Sequence, residues 1–491
     1  MPTNTTTDHV DVLIVGAGLS GVGAAWRLQE QHPNRTYTIL EARDAIGGTW
    51  DLFRYPGIRS DSDMYTLSFP FRPWTHRQSI ADGEHIRQYI RDTASEAGID
   101  QHIRFGHRVR SAEWSSQDAQ WTVTSEVDGK PVTHTASFLY LCSGYYSYDS
   151  GFQPDFPGIE KFKGQVIHPQ FWPEDLDYSD KSVVVIGSGA TAVTLVPSLA
   201  EKAGHVTMLQ RSPTYITALP GEDKLARLTL KALPDGVGHT VNRARMAATA
   251  IGFYQFCRKF PNAARKLLLK RTKSALPDGY DMKHFTPAYN PWDQRLCIVP
   301  NGDLFKSIRR RKASVVTDTI KTFDATGIEL DSGEHLDADI VVSATGLNVV
   351  TFGTISLAVD GQQIDTSQVY AYKGVMFSGL PNLAWCVGYT NASWSLRADL
   401  SHQYVMQFLK HLDDHGYAFG MPDPRGAEGE RPLLDLTSGY VQRALDVLPK
   451  QGDRQPWTIR QNWMLDSLDM RNTDVTEEMV FEAAKVAAKA S

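Results

Sequence analysis

The sequence predicts an α/β fold of two doubly wound units, each a parallel sheet covered by helices, with a helical insert in the second unit. Three observations predict it. The β-branched strand Val10-Asp11-Val12-Leu13-Ile14-Val15 runs straight into Gly16-Ala17-Gly18-Leu19-Ser20-Gly21 and then a helical stretch. The strand Val183-Val184-Val185-Ile186 feeds Gly187-Ser188-Gly189-Ala190-Thr191-Ala192 in the same way. Between Glu222 and Leu276 the pattern is helical, with no strand signal. At 491 residues, 42% hydrophobic and 22% charged, the chain can bury more than one core. The expected division is 1–145 and 346–491 for the two parts of the first unit, 146–215 and 286–345 for those of the second, and 216–285 for the insert.

In the first unit, strand, glycine turn and helix form the context that cradles a dinucleotide. Gly16 permits the tight turn, Gly18 lets a pyrophosphate approach the backbone, and Gly21 lets helix and strand pack closely. Glu41 ends the next strand, Tyr37 to Leu40. A carboxylate there accepts from a ribose hydroxyl and repels a 2′-phosphate, so this site suits FAD or NAD better than NADP. Gly47-Gly48-Thr49-Trp50 follows, then Tyr55-Pro56-Gly57 and Asp61, which by residue type alone reads as a turn or helix N-cap. Arg108 to Trp114, Trp121 to Val127 and Thr133 to Leu141 read as a small antiparallel sheet with a turn at Asp128-Gly129. The loop through Pro154, Pro157 and Gly158 reads as a hinge into the second unit.

In the second unit Ala192 takes the last fingerprint position, a tolerated change. Where the first unit has Glu41, this one has Gln210-Arg211-Ser212 after the strand Val206 to Leu209. A cation and a hydroxyl favour a ribose phosphate, which assigns NADPH here; a surface role is the alternative for Arg211. The helical region 222–276 is strongly basic, including Lys224, Arg227, Lys231, Arg258 and Lys270. Its ordinary reading is a solvated face over a packed one. A second reading has it touch an anionic membrane surface or line a route for apolar substrates. His284 to Pro300 reads as a loop. Strand character returns from Val315 to Leu330 and at Ile340-Val341-Val342, ending in Ser343-Ala344-Thr345-Gly346, and Trp385 to Tyr389 reads as a further strand and turn.

A net charge of −6 argues against nucleic acid as a partner. No apolar run approaches a membrane span, and the polar, Thr-rich Met1 to His9 lacks the regions of a signal peptide, so a cytoplasmic protein is expected. Cys142, Cys257, Cys297 and Cys386 stand far apart, without metal-ligand or dithiol spacing. Disulfide reductases also use two dinucleotide sites, but they need a close cysteine pair.

Between the two fingerprints lies Phe162-Lys163-Gly164-Gln165-Val166-Ile167-His168-Pro169-Gln170-Phe171-Trp172-Pro173. Residue by residue it could be a packed crossover, but the ordered set Phe162, Gly164, His168, Trp172 and Pro173 resembles the fingerprint of Baeyer–Villiger monooxygenases at every defined position. Related flavin-containing and N-hydroxylating monooxygenases carry another residue at the Trp172 position. Gly-Gly-Thr-Trp-Asp-Leu-Phe-Arg-Tyr-Pro-Gly-Ile-Arg-Ser-Asp, from Gly47 to Asp61, resembles a second family signature. Asn290-Pro291-Trp292-Asp293-Gln294-Arg295-Leu296 resembles the segment holding the family's active-site arginine. The blocks at 57–65 and 290–296 bring the chain closest to the mycobacterial thioamide-prodrug-activating (ethionamide-type) branch.

The resemblance implies a two-dinucleotide-domain (two Rossmann-like domains) flavoprotein. NADPH would reduce FAD, O2 would add to the reduced ring, and the resulting peroxyflavin would attack a ketone to give an ester or lactone. It also implies oxidation of thioethers and thioamides. Arg295 would stabilise the peroxyflavin, Asp61 would orient Arg295, and Gly48 and Trp50 would run along FAD. His168 and Trp172 would link cofactor binding to domain motion, and Trp457 would reach the NADP ribose. Many members carry Lys just before the arginine; here it is Gln294. Three rival readings remain: a sulfur- or nitrogen-oxygenating monooxygenase, a non-catalytic redox sensor holding both cofactors, and a peripheral membrane protein.

Overall fold

The computed structural model describes residues 8–234, 236–434, 437–471 and 473–483. The amino-terminal stretch up to residue 7 and Asp235 of the basic helical region lie outside them.

Two parallel sheets carry the chain, and four strands of each follow the same winding order; the fifth, at one end of that order, comes last in the chain in the first sheet and earliest in the second. In the first, the order is Ile103–Arg104, Tyr37–Leu40, His9–Val15, Lys130–Leu141, Leu383–Trp385. In the second it is Ala313–Thr317, His205–Gln210, Ser182–Ile186, Ile340–Ser343, Gln165–Ile167. Strands covered on both faces need unbroken apolar runs, and Leu13, Ile14, Val184 and Val185 are all buried. Each glycine turn therefore stands at the carboxyl end of its sheet's central strand, where open α/β sheets bind ligands. Both families of strands match the α/β, two-Rossmann-like expectation.

The antiparallel segments are not a separate sheet. Lys130–Leu141 is long enough to pair with Gln120–Val127 over its first half and with His9–Val15 over its second. Gln120–Val127 in turn pairs with Arg108–Ser115. The hairpin turn falls at Asp128 (φ 49°) and Gly129 (φ 74°), the left-handed pair a two-residue hairpin requires. Within the second unit Ile320–Phe323, Gly327–Leu330 and His335–Asp337 form a meander.

The crossings between the units are themselves paired: Tyr146–Gly151 runs antiparallel to Leu347–Val349, just before the hinge expected at 154–158. The loop expected over 284–300 needs correction. It opens on the 3-10 turn Met282–Phe285 and closes on the strand Cys297–Pro300, which pairs in parallel with Ile216–Leu219. Four residues whose partner lies far upstream give no local pattern. The insert is three helices, Lys224–Ala232, Val237–Lys259 and Pro261–Ala275, with Ala226, Ala247, Ala264 and Leu268 turned inward. Among the described residues no helix is long and apolar enough to cross a membrane.

The units also meet at Gly57, whose φ is 76° and where a Cβ would run into Ser198 Oγ on the helix Ala190–Leu199. Gly57→Ala should cost about 1–3 kcal/mol of stability through strain and overpacking. Ser198→Ala should return part of the loss in a denaturant titration of the double variant, because Oγ is the first atom struck.

Candidate active site

A cavity of about 470 Å³ runs from the first glycine turn to Arg295, lined along the way by Gly16, Gly18, Glu41, Gly48, Trp50 and Asp61. Its shape follows from missing side chains. Gly16 has φ 102° and a Cβ there would lie 2.7 Å from the Cys142 carbonyl, while a Cβ on Gly21 would strike the Gly16 carbonyl. Gly18 and Gly48 bring two backbones together: a Cβ on Gly48 would stand 3.1 Å from Gly18 Cα. The helix Leu19–Gln31 starts at Gly18 with no side-chain cap, so its first amides face the cavity as an anion site. Glu41 is buried; it accepts from Ala17 N–H at 2.7 Å and Arg43 N–H at 2.9 Å. Burial pushes its carboxyl up, and the two amides pull it back. Backbone room, free amides and one carboxylate fit the pyrophosphate and ribose of a dinucleotide.

At the far end Arg295 Nη1 donates to Asp61 Oδ2 at 3.3 Å and Nε donates to the Thr390 carbonyl at 3.3 Å. Burial opposes the guanidinium charge, yet Asp61 and the neighbouring tyrosines carry it above the ordinary arginine range. With 35% of the Arg295 side chain and 46% of the Asp61 side chain exposed, solvent screens the pair until a ligand covers it. Asp61 caps no helix; that role falls to Asp63, which accepts from Thr66 N–H at the start of Met64–Leu67.

The string between the fingerprints holds the crossing ribbon. His168 Nδ1 accepts from Gln170 N–H at 3.2 Å, so the proton is assigned to Nε2, which donates to the Gly346 carbonyl at 3.2 Å. Burial lowers the His168 pKa, which favours the neutral ring. Gln170 donates to the Ser147 carbonyl at 2.8 Å, so both crossings are tied to this string. Gly164 leaves room for the Phe162 ring, which packs edge-on against Phe323. Trp172 is buried in the core of the second unit, next to Pro173.

In the second glycine turn Gly187 has φ 137°, and a Cβ would meet the Ala344 carbonyl. Gly189 opens the uncapped helix Ala190–Leu199 and is exposed, while Ala192 is fully buried. Arg211 and Ser212 are exposed beyond the strand His205–Gln210, and among the described residues Arg211 makes no hydrogen bond or ion pair. Trp457 corrects an expectation. It is fully buried in the core of the first unit, edge-on to Tyr372, and its indole donates to Glu478 Oε2 at 2.5 Å, so it is not available to a nucleotide ribose.

Asp51 and Arg54 fall within the Gly47–Asp61 signature, while the other side chains at the site belong to no motif. Tyr145 and Tyr146 share a hydroxyl contact at 2.7 Å, Tyr145 stacks on Trp394, and Tyr389 completes that wall. Buried Asp51 gathers Arg43 at 2.7 Å, Arg54 at 2.8 Å, Arg91 at 3.3 Å and Arg87 at 3.4 Å, which stiffens the turn after Gly48. The one signal for these was position: the tyrosines directly follow the strand end at Leu141–Gly144, and Arg43 follows Glu41 by two.

Residues 10–224 match the model of the family described as flavin-binding monooxygenase-like. The FAD-containing monooxygenase EthA of Mycobacterium tuberculosis H37Rv is 54% identical over 475 residues, covering 96% of this chain and 97% of that protein. EthA of Mycolicibacterium smegmatis is 54% identical over 489 residues, covering 99% of each. Among solved structures, an oxidised steroid monooxygenase bound to NADP matches with a TM-score of 0.78 at 22% identity, over 97% of this chain and 100% of that one. Cyclohexanone monooxygenase from Rhodococcus sp. Phi1 bound to NADP+ matches with a TM-score of 0.76 at 20% identity, over 98% and 100%. These last two likenesses establish the fold, and the near-complete alignment with the mycobacterial proteins establishes the rest: the chain belongs to the flavin-binding monooxygenase-like family.

Proposed function

We propose that this flavin-dependent monooxygenase is a Baeyer–Villiger enzyme with FAD and NADPH as its cofactors. It inserts one atom of O2 beside a ketone carbonyl to give an ester or lactone, and it oxidises thioethers and thioamides. The observation that carries this reading is the Arg295–Asp61 pair at one end of the dinucleotide cavity. The names of the mycobacterial relatives and the NADP held by the steroid and cyclohexanone monooxygenase structures support the same cofactors. The division at 145/146, 215/216, 285/286 and 345/346 into FAD domain, NADPH domain and insert belongs to this reading.

When bound and reduced by NADPH, FAD would supply the two electrons that activate O2, and O2 would supply the oxygen atom transferred. The chain supplies position and charge. Gly16, Gly18, Gly21, Gly48 and Trp50 shape the FAD cleft, and Glu41 takes its ribose. Gly187, Gly189 and Ala192 shape the NADPH turn, and Arg211 with Ser212 meets the 2′-phosphate. A carbonyl oxygen gains negative charge as its carbon is attacked, and Arg295 places a cation there that does not surrender its proton. Asp61 and the Thr390 carbonyl fix the guanidinium plane, and His168 keeps the two crossings in register. A non-catalytic redox sensor would have no use for a charge pair so placed.

Peripheral contact with an anionic surface is a second reading of the insert, favoured by exposed Leu225 and Leu228 beside Lys224 and Lys231. Flotation with anionic against neutral vesicles tests it, and equal recovery from both removes it.

Arg295→Ala should lower ester formation by on the order of 10²–10³. Flavin reduction by NADPH should continue in this variant, and the consumed O2 should appear as hydrogen peroxide; full ester yield would contradict the role. Arg211→Ala should raise KM for NADPH about tenfold or more, the worth of one charge-assisted hydrogen bond, and leave KM for NADH nearly unchanged. A mixed incubation with a linear aliphatic ketone and a thioether separates ketone from sulfur chemistry, and sulfoxide alone would move the assignment to sulfur oxygenation.

A further inference from the structure

We infer that the helix Val237–Lys259 is a strut that sets the separation of Asp61 and Arg295, with Arg243 as a positioning residue. The inference rests on the roles proposed above for that pair.

Arg243 is buried, and its Nη1 donates to three carbonyls: Tyr65 at 3.2 Å, Thr66 at 3.0 Å and Ser68 at 2.7 Å. These oxygens close the single helical turn Met64–Leu67, whose last carbonyls have no helical partner of their own. A cation there also answers the negative end of the turn. Among the described residues no carboxylate is bonded to Arg243; Asp63 and Asp399 act on it only through space, and burial weakens its hold on the proton. Burying a guanidinium without a bonded counter-ion is costly, so the carbonyl segment it grips is held at an energetic cost. That segment begins just past Asp61, and its Leu67 lines the same cavity. Ser395 Oγ adds a second donor to the Thr66 carbonyl at 2.7 Å.

The other end of the helix grips the arginine's side. Arg258 donates to Asp293 Oδ1 at 2.8 Å, and Asp293 Oδ2 accepts from Asn290 N–H at 3.0 Å, which closes the turn two residues before Arg295. Between the clamps Ala247 packs on Tyr389, which lines the cavity wall. Fifteen residues of helix separate Arg243 from Arg258, about 22 Å of rigid rod at about 1.5 Å per residue. Asp61 comes from the first unit and Arg295 from the far side of the insert, so one rod spans the two supports of the pair.

The test uses FAD-loaded enzyme and reads two quantities: amide hydrogen exchange over 60–68 and 290–295, and product formed per NADPH consumed. In Arg243→Met, exchange over 60–68 should rise at least about tenfold, while most other protected amides stay within about twofold. Product per NADPH should fall at least about fivefold at unchanged flavin content and flavin-reduction rate. Arg243→Lys should recover part of both, and Arg258→Ala should raise exchange over 290–295. A variant that loses stability uniformly, with unchanged product per NADPH for each bound flavin, would overturn the strut; so would unchanged exchange over 60–68. Arg295→Ala run in parallel separates the two ideas. It should leave 60–68 protected, and full coupling in that variant would reject the catalytic role of the pair while the exchange results alone decide the strut.

Discussion

A guanidinium beside a cofactor cleft needs a counter-charge to fix where it points, and here the two come from different parts of the chain. Asp61 follows the Gly47–Trp50 turn of the first unit, while Arg295 precedes a strand paired with Ile216–Leu219 in the second. The 3.3 Å contact between them therefore measures how the units are packed. Gly57 against Ser198, His168 on the Gly346 carbonyl and Gln170 on the Ser147 carbonyl all bear on that packing. Each is a close backbone approach or a bond to a backbone carbonyl, and such contacts tolerate little displacement.

The two sheets share one plan and differ at the position where the proposed cofactors differ. Both place a glycine turn at the end of the central strand and an uncapped helix behind it, which answers the phosphates. The next strand then decides the ribose. It ends in buried Glu41 in one case and in exposed Arg211 and Ser212 in the other. A carboxylate tied by two backbone amides is a fixed acceptor, whereas an arginine with no partner among the described residues is available to an anion.

The parts of this arrangement legible in the sequence were those set by neighbours in the chain. A β-branched run followed by Gly-x-Gly-x-x-Gly states strand, turn and helix within a few residues, and both occurrences fold that way. The Asp128-Gly129 hairpin was legible for the same reason. What was not legible depends on distant partners. The strand Cys297–Pro300 exists because Ile216–Leu219 lies beside it, and Arg243 matters because three carbonyls of another unit lie against it. A basic helical stretch gives no hint that one of its arginines is buried. An indole near the carboxyl end reads alike as a ribose contact or a core residue; the structure sets Trp457 against Tyr372 with its N–H on Glu478.

In the proposed reaction, oxygen from O2 enters a carbon–carbon bond next to a ketone under the charge of Arg295. Turnover of a linear aliphatic ketone with NADPH under ¹⁸O2, followed by mass spectrometry of the ester, tests it most directly. Baeyer–Villiger insertion places one ¹⁸O in each ester, in the alkoxy position, and leaves the acyl oxygen unlabelled. Ester without label, or label found only in hydrogen peroxide, would contradict it.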